Sequence, residues 1–333
     1  MYNLRMIKIG NYTLPSNILL APLAGIAELS FRLMMREYGA KFAFFEMTDV
    51  NALIYGHPET IQMLRTHEKD QPIAAQLVGA CPEKMLKATE QLLKLTNVPF
   101  IDINCGCPVR KVVSKQAGSA LLKHPEIITQ MIRGVVRNFD IPVTIKMRAG
   151  FEEINYNYIA DYAKRCENAG TSAIFVHGRT QKAGYHGNID FNAIKAVKDA
   201  VSIPVFGSGN IFDHLSAKNM LDKTGCDGLL VARGAFGNPW VFADIEEYLT
   251  NKKIPQSKTL TEKLNALKKH LAYIKQYNPF NPLGKMGYMR KIAQWYIHDF
   301  NGAREIRNTV SYIKTYDELI ALISSILAAH RNN

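Results

Sequence analysis

The run DINCGCPVRKVV, residues 102–113, sets two thiols, a glycine and a proline at the end of an apolar stretch, FIDIN (100–104), that reads as a buried strand. Cys107 falls in the following loop, close to Arg110, Lys111 and Lys115. Cations beside a thiol favour the thiolate or else supply contacts to an anion, so a reactive sulfur is predicted here. Cys105, nearer the strand, reads as a small packed hydrophobe. Cys81, Cys166 and Cys226 stand singly in helical or pre-strand contexts. An odd number of scattered cysteines without a C-x-x-C pair argues against a disulfide framework and a zinc site.

Seven more apolar runs resemble FIDIN: NILLAP (17–22), FAFFE (42–46), IAAQL (73–77), VTIKM (143–147), AIFVH (173–177), PVFGS (204–208) and GLLVA (228–232). Polar residues gather within or just after their C-terminal ends: Glu46, Gln76, Asn104, Lys146 with Arg148, His177 with Arg179, Ser208-Gly209-Asn210, and Arg233-Gly234. Glycines after the last two runs suit a phosphate held by backbone N–H groups, with Arg233 adding a charge-assisted bond or else tying neighbouring strands together. Lys146, closing an otherwise apolar run, must point into an opening at the strand ends or pair with a carboxylate such as Glu46. His177 is followed by Gly178, which suggests a tight turn out of the strand. No spacing of His, Asp and Glu suggests a metal, and none is expected.

Eight apolar runs alternate with helix-like stretches, for example 82–95, 125–138, 155–169 and 213–224, some opened by Pro or Asp. Strands that are apolar throughout describe a parallel sheet buried on both faces. The expected architecture is α/β, a (β/α)8 TIM barrel, whose strand C-termini are where such barrels place chemistry. An open doubly wound sheet is disfavoured because NILLAPLAG lacks a G-x-G-x-x-G turn. Only the connection from the second run to the third is indistinct.

Beyond Trp240 the pattern turns wholly helical. The stretch 251–263 reads as a linker, and 264–277, 287–300, 303–313 and 316–331 read as a small all-helical bundle. The expected domains are therefore 1–251 and 252–333. Residues 252–333 carry 14 Lys/Arg against 5 Asp/Glu, a net +9 of the chain's +12, which points to a polyanionic partner or to a merely basic surface. No apolar run is long enough for a spanning helix, and the first residues lack a signal-like stretch, so a cytoplasmic protein without a membrane partner is expected. A monomer is expected as well.

With these residues assembled, the sequence resembles the tRNA-dihydrouridine synthases, and among them the bacterial B-type subgroup, over nearly its whole length. The resemblance rests on APLAG (21–25), AAQL (74–77), INCGCP (103–108) with AGSALL (117–122), KMRAG (146–150), HGRT (177–180), GSGNI (207–211) and ARGAFGNPW (232–240). It implies FMN at the barrel mouth, with Pro22, Leu23 and Ala24 against the ring and Gln76, Lys146 and His177 hydrogen-bonding it. Ser208, Gly209, Asn210, Ala232 and Arg233 would hold the phosphate end. The resemblance further implies NADPH or NADH as reductant and tRNA as substrate. Cys107 would be the proton donor, Asn104 would contact the uracil, and Arg148 and Arg179 would lie near the nucleotide. The basic tail would grip tRNA, with Trp295 and Tyr296 packing or stacking. Leu23 replaces the family's usual methionine, and Ser208 and Asn210 depart from its usual strand-seven loop. Two rivals stand beside this reading: a dihydroorotate-type flavin dehydrogenase, which needs no basic tail, and a non-catalytic RNA-binding barrel.

Overall fold

A computed structural model describes residues 6–331. A hairpin of β1 (Lys8–Ile9) and β2 (Tyr12–Thr13) precedes β3 (Ile18–Leu20), β4 (Ala43–Phe44), β5 (Thr48–Asp49), β6 (Ile73–Val78) and β7 (Ile101–Cys105). Then come β8 (Val143–Gly150), β9 (Thr171–Thr180), β10 (Val205–Ser208) and β11 (Gly228–Val231). The parallel order is β3-β11-β10-β9-β8-β7-β6-β4, with β5 pairing the outer end of β6. Leu20 N donates to Phe42 O at 3.0 Å, which joins the two end strands and closes the barrel. All eight apolar runs fall on its strands.

Alternation along each strand sorts the residues into two cores. One face points inward, where Phe42, Phe44, Phe100, Phe175 and Phe206 form a plug with Leu19 and Leu230. Ring centroids in this plug lie as close as 4.9 Å, for Phe175 and Phe206. The other face, including Phe45, Ile103, Ile145 and Val176, packs against the surrounding helices. Two residues further along several strands the inward set turns polar: Phe100 gives way to Asp102 and Asn104, Phe175 to His177, and Phe206 to Ser208. The plug is therefore the floor under a polar layer.

Helices Pro82–Leu95 and Pro125–Asn138 occupy the expected ranges. Asn155 and Asp213 sit one residue outside theirs as N-caps, accepting from Tyr158 N at 3.0 Å and Ser216 N at 2.7 Å. The indistinct connection holds two short helices, Val50–Ile54 and Pro58–Met63, and a 3-10 turn at Glu68–Asp70. Each is too short to impose a readable period.

The linker reading fails at its C-terminal end. Helix Leu260–Tyr277 begins inside it, because Thr259 and Glu262 form a capping box. The next helix, Pro282–Tyr296, also starts earlier than expected, capped by Asn281 on Gly284 N at 2.9 Å, and it ends sooner. With Ala303–Tyr312 and Tyr316–Arg331 these helices form a bundle against helix Leu29–Glu37 of the barrel. Phe31, Met34, Leu267, Leu271, Ile292 and Tyr296 belong to one continuous apolar core. Among the described residues no helix is long and apolar enough to cross a membrane.

His270 sits in that shared core, its ring 5.7 Å from Phe31 and its Nδ1 3.1 Å from the Tyr296 hydroxyl. Burial pushes its pKa down to about 3 from an ordinary 6.5. Between those values the unfolded chain binds a proton that the folded chain does not, so stability falls as pH drops through this window. The loss approaches about 1.4 kcal/mol per pH unit near its middle. Urea unfolding at pH 7 and pH 5 should show a steeper decline for the wild type than for His270→Gln, and equal slopes would contradict this.

Candidate active site

A cavity of about 560 Å³ opens at the C-terminal ends of the barrel strands. Pro22, Leu23 and Ala24 line it from the loop after β3, Gln76 from β6, and Asn104 and Cys107 from β7 and its loop. Lys146 and Arg148 enter from β8 and His177 from β9. Ser208, Gly209 and Asn210 follow from β10, and Ala232 and Arg233 from β11. Of the candidates, Glu46 and Arg179 are absent from the lining, and Arg179 stands behind His177. Strand register brings the groups together, since Gln76 pairs with Asp102, Asn104 with Lys146, and Arg148 with His177 across neighbouring strands.

Beneath the cavity runs a chain of hydrogen bonds. Thr144 Oγ1 and Gln76 Nε2 donate to the two oxygens of Asp102, each at 2.7 Å. Asn104 Nδ2 donates to Gln76 Oε1 at 2.8 Å. Asn104 Oδ1 in turn accepts from Gly106 N at 3.1 Å and Cys107 N at 2.8 Å. Asp102 is fully buried, and burial lifts its pKa to about 7 against these hydrogen bonds and the charge of Lys146. Sequence reading passed over Asp102. Its signal was an acidic residue on the inward face of an apolar strand, two positions before Asn104.

Lys146 faces the cavity and makes no hydrogen bond or close ion pair among the described residues. Glu46 is not its partner, because that carboxylate accepts from Gly25 N instead. Burial and the neighbouring Arg148 lower the lysine to about 8. His177 is held well below its ordinary value by burial and by the charges of Lys146, Arg148, Arg179 and Arg233, so its ring is neutral. Arg179 Nη1 stands 3.4 Å from His177 Nε2, which makes that nitrogen the acceptor and leaves a proton on Nδ1. Gly178 does not turn the chain, since β9 continues to Thr180. Its lack of a side chain admits Ile189 and Asp190, whose atoms a Cβ would meet at 2.6 and 2.9 Å.

The arginines are largely occupied. Arg148 donates to the carbonyls of Gly106, Thr180 and Gly184, and Arg179 to those of His186 and Gly187. Between them they hold the 180–187 loop, which carries Tyr185 over the mouth with its ring facing Arg148 and Arg233. Asn210 Oδ1 accepts from Arg179 at 3.0 Å and Arg233 at 3.1 Å, and Ser208 Oγ donates to Leu230 O at 3.0 Å. Both side chains at the departing positions thus serve the loop from within.

Burial works against the thiolate alternative at Cys107. The sulfur is half-buried, and burial raises its pKa above the ordinary 9.0, outweighing Val109 N–H, Lys146 and Arg148. Arg110, Lys111 and Lys115 lie along the chain beyond it and are not among the charges that act on it. A protonated thiol faces the cavity. Cys105 is buried as expected, Cys166 and Cys226 are buried too, and Cys81 is half-exposed beside Glu83.

One wall depends on the bundle. Phe236 lines the cavity, and Trp295 stacks on it at 4.0 Å with planes 5° apart. Gly237 next to it takes a φ of +67°, and a Cβ there would lie 1.9 Å from Trp295 O. The same bundle helix donates from the Tyr288 hydroxyl to Ile26 O at 2.6 Å and from Lys291 to Gly25 O at 3.4 Å. Tyr296 is core, fully buried.

Comparison with known proteins gives this site a family. The profile described as Dihydrouridine synthase (Dus) matches residues 19–331. The chain belongs to the dihydrouridine synthase family. A tRNA-dihydrouridine synthase B of Pseudomonas aeruginosa is 35% identical over 98% of this chain and 98% of its own. One of Vibrio vulnificus is 37% identical over 92% of this chain and 94% of its own. Among solved structures, a morphinone reductase variant with tetrahydroNAD superposes with a TM-score of 0.53 at 12% identity, covering 77% of this chain and 92% of that one. A 2-naphthoyl-CoA reductase gives 0.58 at 10%, covering 72% and 51%. At such identities the agreement concerns the fold, a barrel shared between this dihydrouridine synthase and those reductases.

Proposed function

We propose that this dihydrouridine synthase reduces the C5=C6 bond of uridines in tRNA, using FMN in the barrel cavity and Cys107 as proton donor. The observation that carries the reading is a protonated thiol facing the same cavity as an unpaired ammonium, in a chain of this family. The residues present fit FMN. Pro22, Leu23 and Ala24 offer an apolar wall for the ring, and Gln76, Lys146 and the Nδ1–H of His177 offer polar contacts. Arg233 and the backbone about Gly209 and Gly234 offer an anion site, and no carboxylate pairs with Arg233 among the described residues. When bound and reduced by NADPH or NADH, the cofactor supplies hydride to C6 of the uracil.

The chain's own groups do the rest. Lys146 places a fixed positive charge where negative charge develops. Cys107 gives its proton to C5 of the uracil. Asn104 keeps one Nδ2–H free for the base, and Arg148 and Arg179 act on the nucleotide by shaping the Tyr185 loop. The target uridine must leave its stack to reach this depth, a general requirement for chemistry on a base. A tRNA substrate suits the cytoplasm.

Incubating the flavin-loaded enzyme with NADPH and tRNA lacking the modification, then weighing its nucleosides by mass spectrometry, tests the reading. Dihydrouridine should appear. Unaltered tRNA from enzyme whose flavin NADPH bleaches would refute it.

Residues 252–333 supply the basic tRNA grip in this reading. Arg304 is exposed, whereas Arg307 spends a donor on Ile297 O at 2.7 Å. Neutralising Arg304 should flatten the salt dependence of tRNA binding by about 0.7–0.9 in log–log slope if it meets one phosphate. Filter binding across a salt series measures this, and an unchanged slope would move the contact elsewhere.

A further inference from the structure

We infer that Asp102 is a positioning residue, the buried acceptor at the foot of a one-way hydrogen-bond relay through Gln76 and Asn104 that holds the Cys107 loop. The polarity of the two amides sets the direction. Gln76 and Asn104 each have one donating and one accepting end, so fixing the first fixes the second. An Asp102 oxygen that accepts from Gln76 Nε2 turns Gln76 Oε1 toward Asn104. That oxygen takes Asn104 Nδ2, which turns Asn104 Oδ1 toward the Gly106 and Cys107 amides. If Gln76 were reversed, Asn104 would follow, and its NH2 would face two N–H donors.

Thr144 is what lets the relay keep its direction. Its hydroxyl, 2.7 Å from Asp102 Oδ1, can donate or accept. A proton gained on that oxygen is taken up by turning the hydroxyl, and the oxygen facing Gln76 still accepts. Distance in sequence hides the arrangement, since Asp102 lies 26 residues from Gln76 and 42 from Thr144. Neighbouring strands bring the three abreast, Gln76 and Thr144 flanking Asp102.

The consequence for turnover rests on Cys107 as the proton donor, but the relay itself is tested without tRNA. In Asp102→Asn the new NH2 can face the Thr144 hydroxyl and the carbonyl oxygen can still accept from Gln76, so the relay survives. In Thr144→Val the carboxylate still accepts from Gln76. In the double variant the NH2 meets either a methyl group or Gln76, and the relay loses its direction. Labelling the flavin-loaded protein with 15N-cysteine gives five amide signals, one for each cysteine, and the loss of one in Cys107→Ser assigns it.

Each single variant should leave the Cys107 amide signal in place, and the double variant should displace it. Its loss of kcat for tRNA should exceed the product of the single losses by at least about tenfold, or about 1.4 kcal/mol of coupling. Asp102→Leu, which removes the acceptor without adding a donor, should displace the same signal and serves if the double variant fails to fold. An unmoved Cys107 signal in a flavin-loaded double or Leu variant overturns the relay. So does a displacement by Asp102→Asn alone equal to that of the double. A displaced signal with undiminished tRNA turnover upholds the relay and overturns Cys107 as proton donor.

Discussion

Replacing Cys107 with alanine is expected to slow dihydrouridine formation by about 10²–10⁴-fold, the span of a lost general acid, while NADPH still bleaches the bound flavin. The loop does not depend on the sulfur. Cys107 N donates to Asn104 Oδ1, and its carbonyl accepts from Ser119 N at 3.1 Å and Ser119 Oγ at 2.9 Å. Gly118, at a φ of +62°, leaves room for that carbonyl, which a Cβ would approach to 2.9 Å. Removing one atom from so anchored a residue isolates its chemistry. Because Lys146 must be charged and the donor protonated, the rate should hold through neutrality and fall in two stages as pH rises, first as Lys146 loses its proton near 8 and then through the raised thiol pKa, above 9.0. Single-turnover measurement with pre-reduced enzyme separates this step from flavin reduction. A variant within twofold of the wild type would remove Cys107 from the mechanism.

The largest effect on stability is expected from Asp70→Ala. Asp70 Oδ2 lies 2.9 Å from both Nε and Nη2 of Arg32, each side chain fully buried, and Oδ1 is 3.6 Å from Arg36 Nε. Arg32 also donates to Ala27 O at 2.6 Å and Arg65 O at 2.9 Å. Without the carboxylate a guanidinium stays buried and uncompensated, at a cost of about 3–5 kcal/mol. Loss of that order should show as a large drop in urea midpoint at unchanged slope. A change below about 1 kcal/mol would mean that water reaches Arg32 once Asp70 is gone.

The barrel was legible because its strands are buried on both faces, so FAFFE and AIFVH read as unbroken apolar runs. The site was legible because polar residues break those runs at one end. What stayed hidden depends on three-dimensional neighbours. Asp102 reads as a flaw in a strand until register sets Gln76 and Thr144 beside it. The protonation of Cys107 follows from burial, which the lysines next to it in sequence disguise. Arg148 and Arg179 show their charge in sequence, but not the carbonyls that occupy them. Tyr185 and Phe236 sit in segments with no period to betray them. The early start of helix Leu260–Tyr277 was legible after all, since Thr259 and Glu262 spell a capping box.

The stack of Trp295 on Phe236 limits how these enzymes can be recombined. A bundle transplanted from a relative at residue 252, with the aim of redirecting which uridine is presented, would bring its own counterpart of Trp295 against a resident Phe236 and Gly237. It would also replace the donors that Tyr288 and Lys291 offer to Ile26 and Gly25. The graft would therefore alter the wall of the barrel cavity along with the basic surface of the bundle, and the two halves must diverge in step to keep both.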